Sequence, residues 1–184
     1  MRKIIFLIIS LLITSCENMN DSQPSKIVFL GDSITQQAED FEDGFISLIR
    51  QNLSEDKFEL IGKGISGNKV SDLLTRYKSD VLDLNPDLVF IYIGINDVWH
   101  KYDFGTGSDI DLYEKGLRAI ISDIKSLGSK IVLCTPTVIG ENTGDFELGN
   151  QFKNVETMEK MNGDLDTFSD VVRKLSNEYE TELL

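Results

Sequence analysis

The chain has 184 residues, enough for one domain with a substantial buried core. Its residues are 41% apolar, which excludes an extended disordered chain, and its net charge of −13 excludes a nucleic-acid binder, because phosphate recognition needs a basic footprint. One histidine and two cysteines offer no ligand cluster, so neither a metal nor any other cofactor is expected.

The N-terminus predicts export. Arg2 and Lys3 precede an almost unbroken apolar run from Ile4 to Ile13, then Thr14, Ser15 and Cys16. A run of about ten residues makes a helix of about 15 Å, half the hydrocarbon core, so residues 1–15 read as a signal peptide rather than a span. Ile13-Thr14-Ser15-Cys16 resembles a lipobox, which implies cleavage before Cys16 and lipidation of its sulfur. Losing residues 1–15 removes two cations and no acids, taking the charge from −13 to −15. The lipid anchor is then the expected membrane contact, and the localisation expected is a bacterial cell envelope. Residues 16–25 read as a polar tether and 26–184 as the domain, expected to be a monomer.

Along the domain, apolar runs of strand length alternate with helical spacing. Lys26–Leu30 is a strand closed by Gly31. Phe41, Phe45, Leu48, Ile49 and Leu53 recur at helical spacing. Phe58–Ile61 is a second strand, stopped by Gly62 and Gly64. Val70 to Leu84 reads as a helix ended by Asn85-Pro86, and Leu88–Ile93 as a buried strand ended by Gly94. Tyr113, Leu117, Ile120, Ile121, Ile124 and Leu127 share one face of a long helix with Gly128 as its cap. Lys130–Thr135 is the fourth strand, with Cys134 in it as a small hydrophobe rather than a nucleophile. The polar stretch 137–162 has no clear element. Leu165, Phe168, Val172, Leu175 and Tyr179 mark a last helix, and Thr181–Leu184 reads as the start of a fifth strand, cut off. This alternation predicts an α/β fold: a doubly wound parallel sheet with helices on both faces.

In such sheets ligands bind beyond the carboxyl ends of the strands. Gly31-Asp32-Ser33-Ile34 follows the first strand, Gly62 to Asn68 the second, and Gly94-Ile95-Asn96-Asp97 the third. A serine hydroxyl at a helix start, backbone N–H groups and a side-chain amide are the parts that acyl transfer requires. These three blocks, in this order and on alternating strands, resemble those of the SGNH (GDSL-type) hydrolase family. The resemblance implies a flavodoxin-like fold and an ester hydrolase acting on short acyl or acetyl esters of carbohydrates or lipids. It also implies a Ser33 nucleophile and an oxyanion hole completed by Gly64 and Asn96. Two departures stand out. The family's second block has an asparagine where this chain has Gly62, which is expected to loosen the turn. Its histidine, with an aspartate three residues earlier, comes from a loop after the fifth strand, and neither can be assigned here.

His100, four residues past Asn96, would share a helical face with it if 96–100 makes a turn; it reads as a rim residue rather than the base. Asp97 reads as a turn-stabilising residue. Loss of the histidine costs serine hydrolases about six orders of magnitude in turnover, so little activity is expected of the chain as given. Two other readings remain. Gly62-Lys63-Gly64-Ile65-Ser66-Gly67 matches a dinucleotide fingerprint, but no acid stands at the end of the next strand. A non-catalytic glycan-binding lipoprotein on the same fold would use Tyr92, Trp99, Tyr102 and the 137–162 stretch as a sugar groove.

Overall fold

The computed structural model describes residues 23–139 and 155–184. The expected signal peptide, Cys16, the tether as far as residue 22, and most of the 137–162 stretch lie outside the described residues. Five parallel strands form one sheet in the order β2-β1-β3-β4-β5. They are β1 (Ser25–Gly31), β2 (Phe58–Gly64), β3 (Leu88–Tyr92), β4 (Lys130–Cys134) and β5 (Glu182–Leu183). The register sets Gly31 beside both Gly64 and Tyr92, and Tyr92 beside Cys134, so four strand ends lie in line along one edge.

Six helices connect them: α1 (Ser33–Asp40), α2 (Phe45–Asn52), α3 (Val70–Asp80), α4 (Ile95–Asp103), α5 (Ile110–Ser126) and α6 (Val155–Tyr179). Strand residues alternate between two cores, as the pleat requires. Val28, Leu30, Val89, Ile91, Ile131 and Leu133 face α3, α5 and α6 in a large cluster that also takes Tyr113, Ile120 and Leu165. Phe29 and Leu60 face the other way, against Ala38 of α1 and Ile46 of α2. The sheet is therefore covered on both faces, as expected of a doubly wound fold. Beside the smaller cluster a depression of about 450 Å³ is lined by Phe29, Phe45, Ile49, Phe90, Tyr92 and Cys134.

Several boundaries differ from those read in the sequence, each for a tertiary reason. The Phe41–Leu53 stripe is not one buried helical face. Phe41 caps α1, Ile46 carries the burial on α2, and Phe41, Phe45, Leu48 and Ile49 are exposed. The chain bends between the two helices at Gly44, where a β-carbon would stand 2.5 Å from the Ala38 carbonyl oxygen. β2 runs through Gly62 and on to Gly64, because pairing with β1 supplies its hydrogen bonds whatever the side chains. The expected 70–84 helix breaks at Val81 into a 3-10 turn, Leu82–Leu84, and Asn85 turns left-handed (φ 47°) before Pro86. α6 starts ten residues ahead of Leu165, with Met158 and Met161 extending its buried stripe past the Asn162-Gly163 pair.

The core predicts its own sensitivity. Ile120 is fully buried between α5 and the sheet. Ile120→Ala is expected to destabilise the chain by about 2–5 kcal/mol, read as a lower urea midpoint with an unchanged slope.

Candidate active site

The site grows out of β1. Its apolar residues end at Gly31, and Asp32, only 1% exposed, caps α1 by accepting the Ile34 N–H at 3.0 Å. Ser33 is thereby the first residue of α1, half-buried, at the positive end of the helix. Gly64 closes β2 against this first turn. A β-carbon there would overlap the Gln36 nitrogen and stand 2.6 Å from the Thr35 carbonyl carbon and 2.7 Å from the Asp32 carbonyl oxygen. Only glycine allows that approach. The connection beyond it is tied down by Ile65 N–H to the Gly31 carbonyl (3.3 Å) and Ser66 N–H to Gln36 Oε1 (2.8 Å).

Gly94 (φ 135°) turns the chain from β3 into α4, and a side chain there would strike Pro136. This sets Asn96 in the first turn of α4, 3% exposed, with Nδ2 donating to the Asn68 carbonyl at 3.0 Å. One amide N–H is used to brace Asn96 against the β2–α3 connection, and the other meets no acceptor among the described residues. Ser33, Gly64 and Asn96 thus stand on three adjacent strand ends, linked through the 64–68 segment.

Asp97 is wholly buried. Its two oxygens accept the Val70 N–H at 3.1 and 3.2 Å, and it also bonds the Ser108 side chain, so it anchors the start of α3 as a turn-stabilising residue would. Burial pushes the carboxyls of Asp32 and Asp97 up to about 6 each, with Asp97 adding repulsion at Asp32. Tyr113, completely buried, donates to the Ile93 carbonyl at 2.9 Å, and burial together with these two acids holds its phenol neutral.

His100 does lie on α4 with Asn96, and both reach the same connection: its Cε1 is 4.0 Å from where a Gly67 β-carbon would be. Its ring meets Phe104 edge-on at 5.1 Å. Burial and the nearby Lys69 charge lower its pKa. Among the described residues no hydrogen bond joins His100 to Ser33. Cys134 is half-buried, and burial raises its thiol to about 11, so it carries no thiolate at neutral pH.

Gly62 does not loosen a turn. It lies inside β2 and makes room for Glu39, whose carboxyl carbon would be 2.9 Å from a β-carbon at that position. Glu39 in turn pairs with Arg50 at 2.6 Å, and Arg50 also donates to the Leu60 carbonyl at 3.1 Å. Because Gly62 and Gly64 are both strand residues and α3 begins only at Val70, the glycines do not form the strand-to-helix turn of a dinucleotide site. Of the expected sugar groove, residues 140–154 lie outside the described residues, and its three aromatic side chains are divided between the two faces of the sheet. Tyr92 lies on the α1 and α2 side with Phe29, whereas Trp99 and Tyr102 pack on the opposite core and Tyr102 bonds Asp164 at 3.1 Å. Sequence reasoning missed Arg76, whose side chain is 13% exposed and which joins the ends of β1 and β2.

The sequence model of the GDSL-like lipase/acylhydrolase family matches residues 29–184, and the chain belongs to that family. It is similar to an acetylxylan esterase of Geobacillus stearothermophilus, at 36% identity over 138 residues, 65% of this chain and 63% of that protein. The chain therefore spans under two thirds of the length of this curated relative. Among solved structures, an acetyl xylan esterase superposes with a TM-score of 0.73 at 41% identity, covering 86% of this chain and 75% of the other. The G. stearothermophilus acetylxylan esterase superposes with a TM-score of 0.69 at 30% identity, covering 88% and 77%. Structures of that esterase described as catalytic mutants replace a serine, an aspartate or a histidine by alanine.

The two raised carboxyls carry a pH signature. A group whose folded pKa lies above its unfolded value favours the protonated fold, so stability falls as pH rises from about 4 to about 6 and is flat above. Asp97→Asn is expected to remove on the order of 2–3 kcal/mol of this fall. Urea unfolding of both proteins at pH 4 and pH 7 checks it; parallel pH profiles would refute the burial argument.

Proposed function

We propose that this protein is a serine ester hydrolase that removes acetyl groups from carbohydrate esters through an acyl-enzyme on Ser33. The observation that carries this reading is the convergence of Ser33, Gly64 and Asn96 on adjacent ends of parallel strands. Similarity to acetylxylan esterases supports the acetyl and carbohydrate parts. In this mechanism Ser33 Oγ attacks the ester carbonyl carbon, and the electron pair moves onto the carbonyl oxygen. The N–H groups of Ser33 and Gly64 and the free amide N–H of Asn96 hold that oxygen, each donor worth about 10²–10³ in rate. Collapse expels the sugar alkoxide, which takes a proton, and water then releases acetate from Ser33.

A base must take the Ser33 proton. His100, the single histidine of the sequence, is engaged with Phe104 and the rim of the 64–69 connection, so it is not given that role. Without a base the remaining acceleration is about 10³–10⁴ over water. Added imidazole supplies a base. With p-nitrophenyl acetate and imidazole, residues 16–184 are expected to release nitrophenol faster than the Ser33→Ala variant. An acetyl adduct is expected on the peptide carrying Ser33. Equal rates and no adduct, in protein shown to be folded, would overturn the reading. Acetylated xylooligosaccharide binding that survives Ser33→Ala in such a protein would favour the non-catalytic glycan-binding alternative.

We also propose where the protein resides. Arg2, Lys3, the Ile4–Ile13 run and Cys16 support export and lipid anchoring to a bacterial cell envelope. Labelled fatty acid is expected to be incorporated by the parent chain expressed in a bacterium and not by Cys16→Ala; equal labelling would refute it.

A further inference from the structure

We propose that Arg76 is the positioning residue of the oxyanion-stabilising edge, a role that rests on the esterase reading of Ser33, Gly64 and Asn96. Arg76 sits on α3, away from the three blocks that the sequence presents, and four donor contacts leave its guanidinium. Nη2 donates to the Gly31 carbonyl at 2.8 Å and Nη1 to the Lys63 carbonyl at 3.0 Å. Nε donates to Asn68 Oδ1 at 2.8 Å, and Nη1 also meets Asp80 Oδ2 at 2.5 Å.

Asp80, one helical turn on, accounts for a single contact and orients the fork. The other three go to the site. The Lys63 carbonyl and the Gly64 N–H belong to one planar trans peptide, so fixing the carbonyl oxygen fixes the N–H on the opposite side. The Gly31 carbonyl lies two residues before Ser33 and also accepts the Ile65 N–H at 3.3 Å. Asn68, held by its side chain, offers its own carbonyl to the Asn96 amide. One side chain thereby sets the direction of the Gly64 donor and, through Asn68, the seat of Asn96, while tying both to the strand that delivers Ser33. Only a planar group with several donors reaches these acceptors together; an ammonium on a flexible stem does not.

The test compares Arg76→Ala, Arg76→Lys and, as a control for lost charge on the same helix, Lys78→Ala, all in residues 16–184. Two measurements are made: amide hydrogen exchange by segment, and Ser33-dependent release from p-nitrophenyl acetate with imidazole present. Arg76→Ala is expected to speed exchange in residues 31–36 and 63–70 while β4 and α5 keep the parent's protection. Its kcat is expected to fall about 10–100-fold with KM nearly unchanged, because donors are misaimed and the acetyl group is still admitted. Arg76→Lys is expected to leave most of that loss in place, and Lys78→Ala to match the parent. Unchanged exchange, faster exchange spread evenly over the sheet, or a kcat equal to the parent's would overturn the proposal. Absence of Ser33-dependent release from the parent chain overturns the esterase reading instead. The exchange pattern then decides the clamp alone, local loosening supporting it and uniform or absent loosening refuting it.

Discussion

Every strand of this sheet runs the same way, and that single constraint governs the rest of the molecule. Parallel strands must be joined by crossovers, so both faces acquire helices and all five carboxyl ends meet one edge. The edge then collects what each connection begins with: a capped helix after β1, a glycine closing β2, and a buried amide after β3. The Gly31, Gly64 and Tyr92 register makes these neighbours, although the residues they introduce span Ser33 to Asn96 in sequence.

Convergence alone does not make a rigid edge; the burial of polar groups does. Asp32, Asn96 and Asp97 are each at most 3% exposed, and each spends hydrogen-bonding capacity on backbone. Asp32 holds α1, Asp97 holds the start of α3, and Asn96 holds the connection between them. Burying two carboxyls costs stability at neutral pH, as their raised pKa values record. That cost sits beside the proposed nucleophile, where preorganised donors bring the greatest return in rate.

Much of the fold was legible because short apolar runs punctuated by glycine and proline have few other readings. β1, β3, β4 and the buried stripe of α5 from Tyr113 to Ile124 followed from periodicity, whereas Leu127, read onto the same face, lies past the end of α5 and is exposed. Failures came where local pattern and tertiary context disagree. Phe41, Phe45, Leu48 and Ile49 have helical spacing yet are exposed, since what covers an apolar face is not written in its period. Gly62 and Gly64 look like strand breakers, but pairing with β1 keeps them in the ladder. The Asn162-Gly163 pair hid the first turns of α6, which are held by burial of Met158 and Met161 rather than by propensity.

The sequence by itself determined the parallel α/β architecture and the residues that stand at each strand end. It did so because hydrophobic period and turn chemistry are local properties. It equally carried the basic and apolar N-terminal pattern and the acidic charge. Only the tertiary structure decided what surrounds those residues: Gly64 against the first turn of α1, Glu39 over Gly62, Asp97 under Val70, and Arg76 across the ends of β1 and β2. These partners lie 13 to 45 residues apart in sequence, and nothing in a linear pattern pairs a guanidinium with carbonyl groups that every residue possesses.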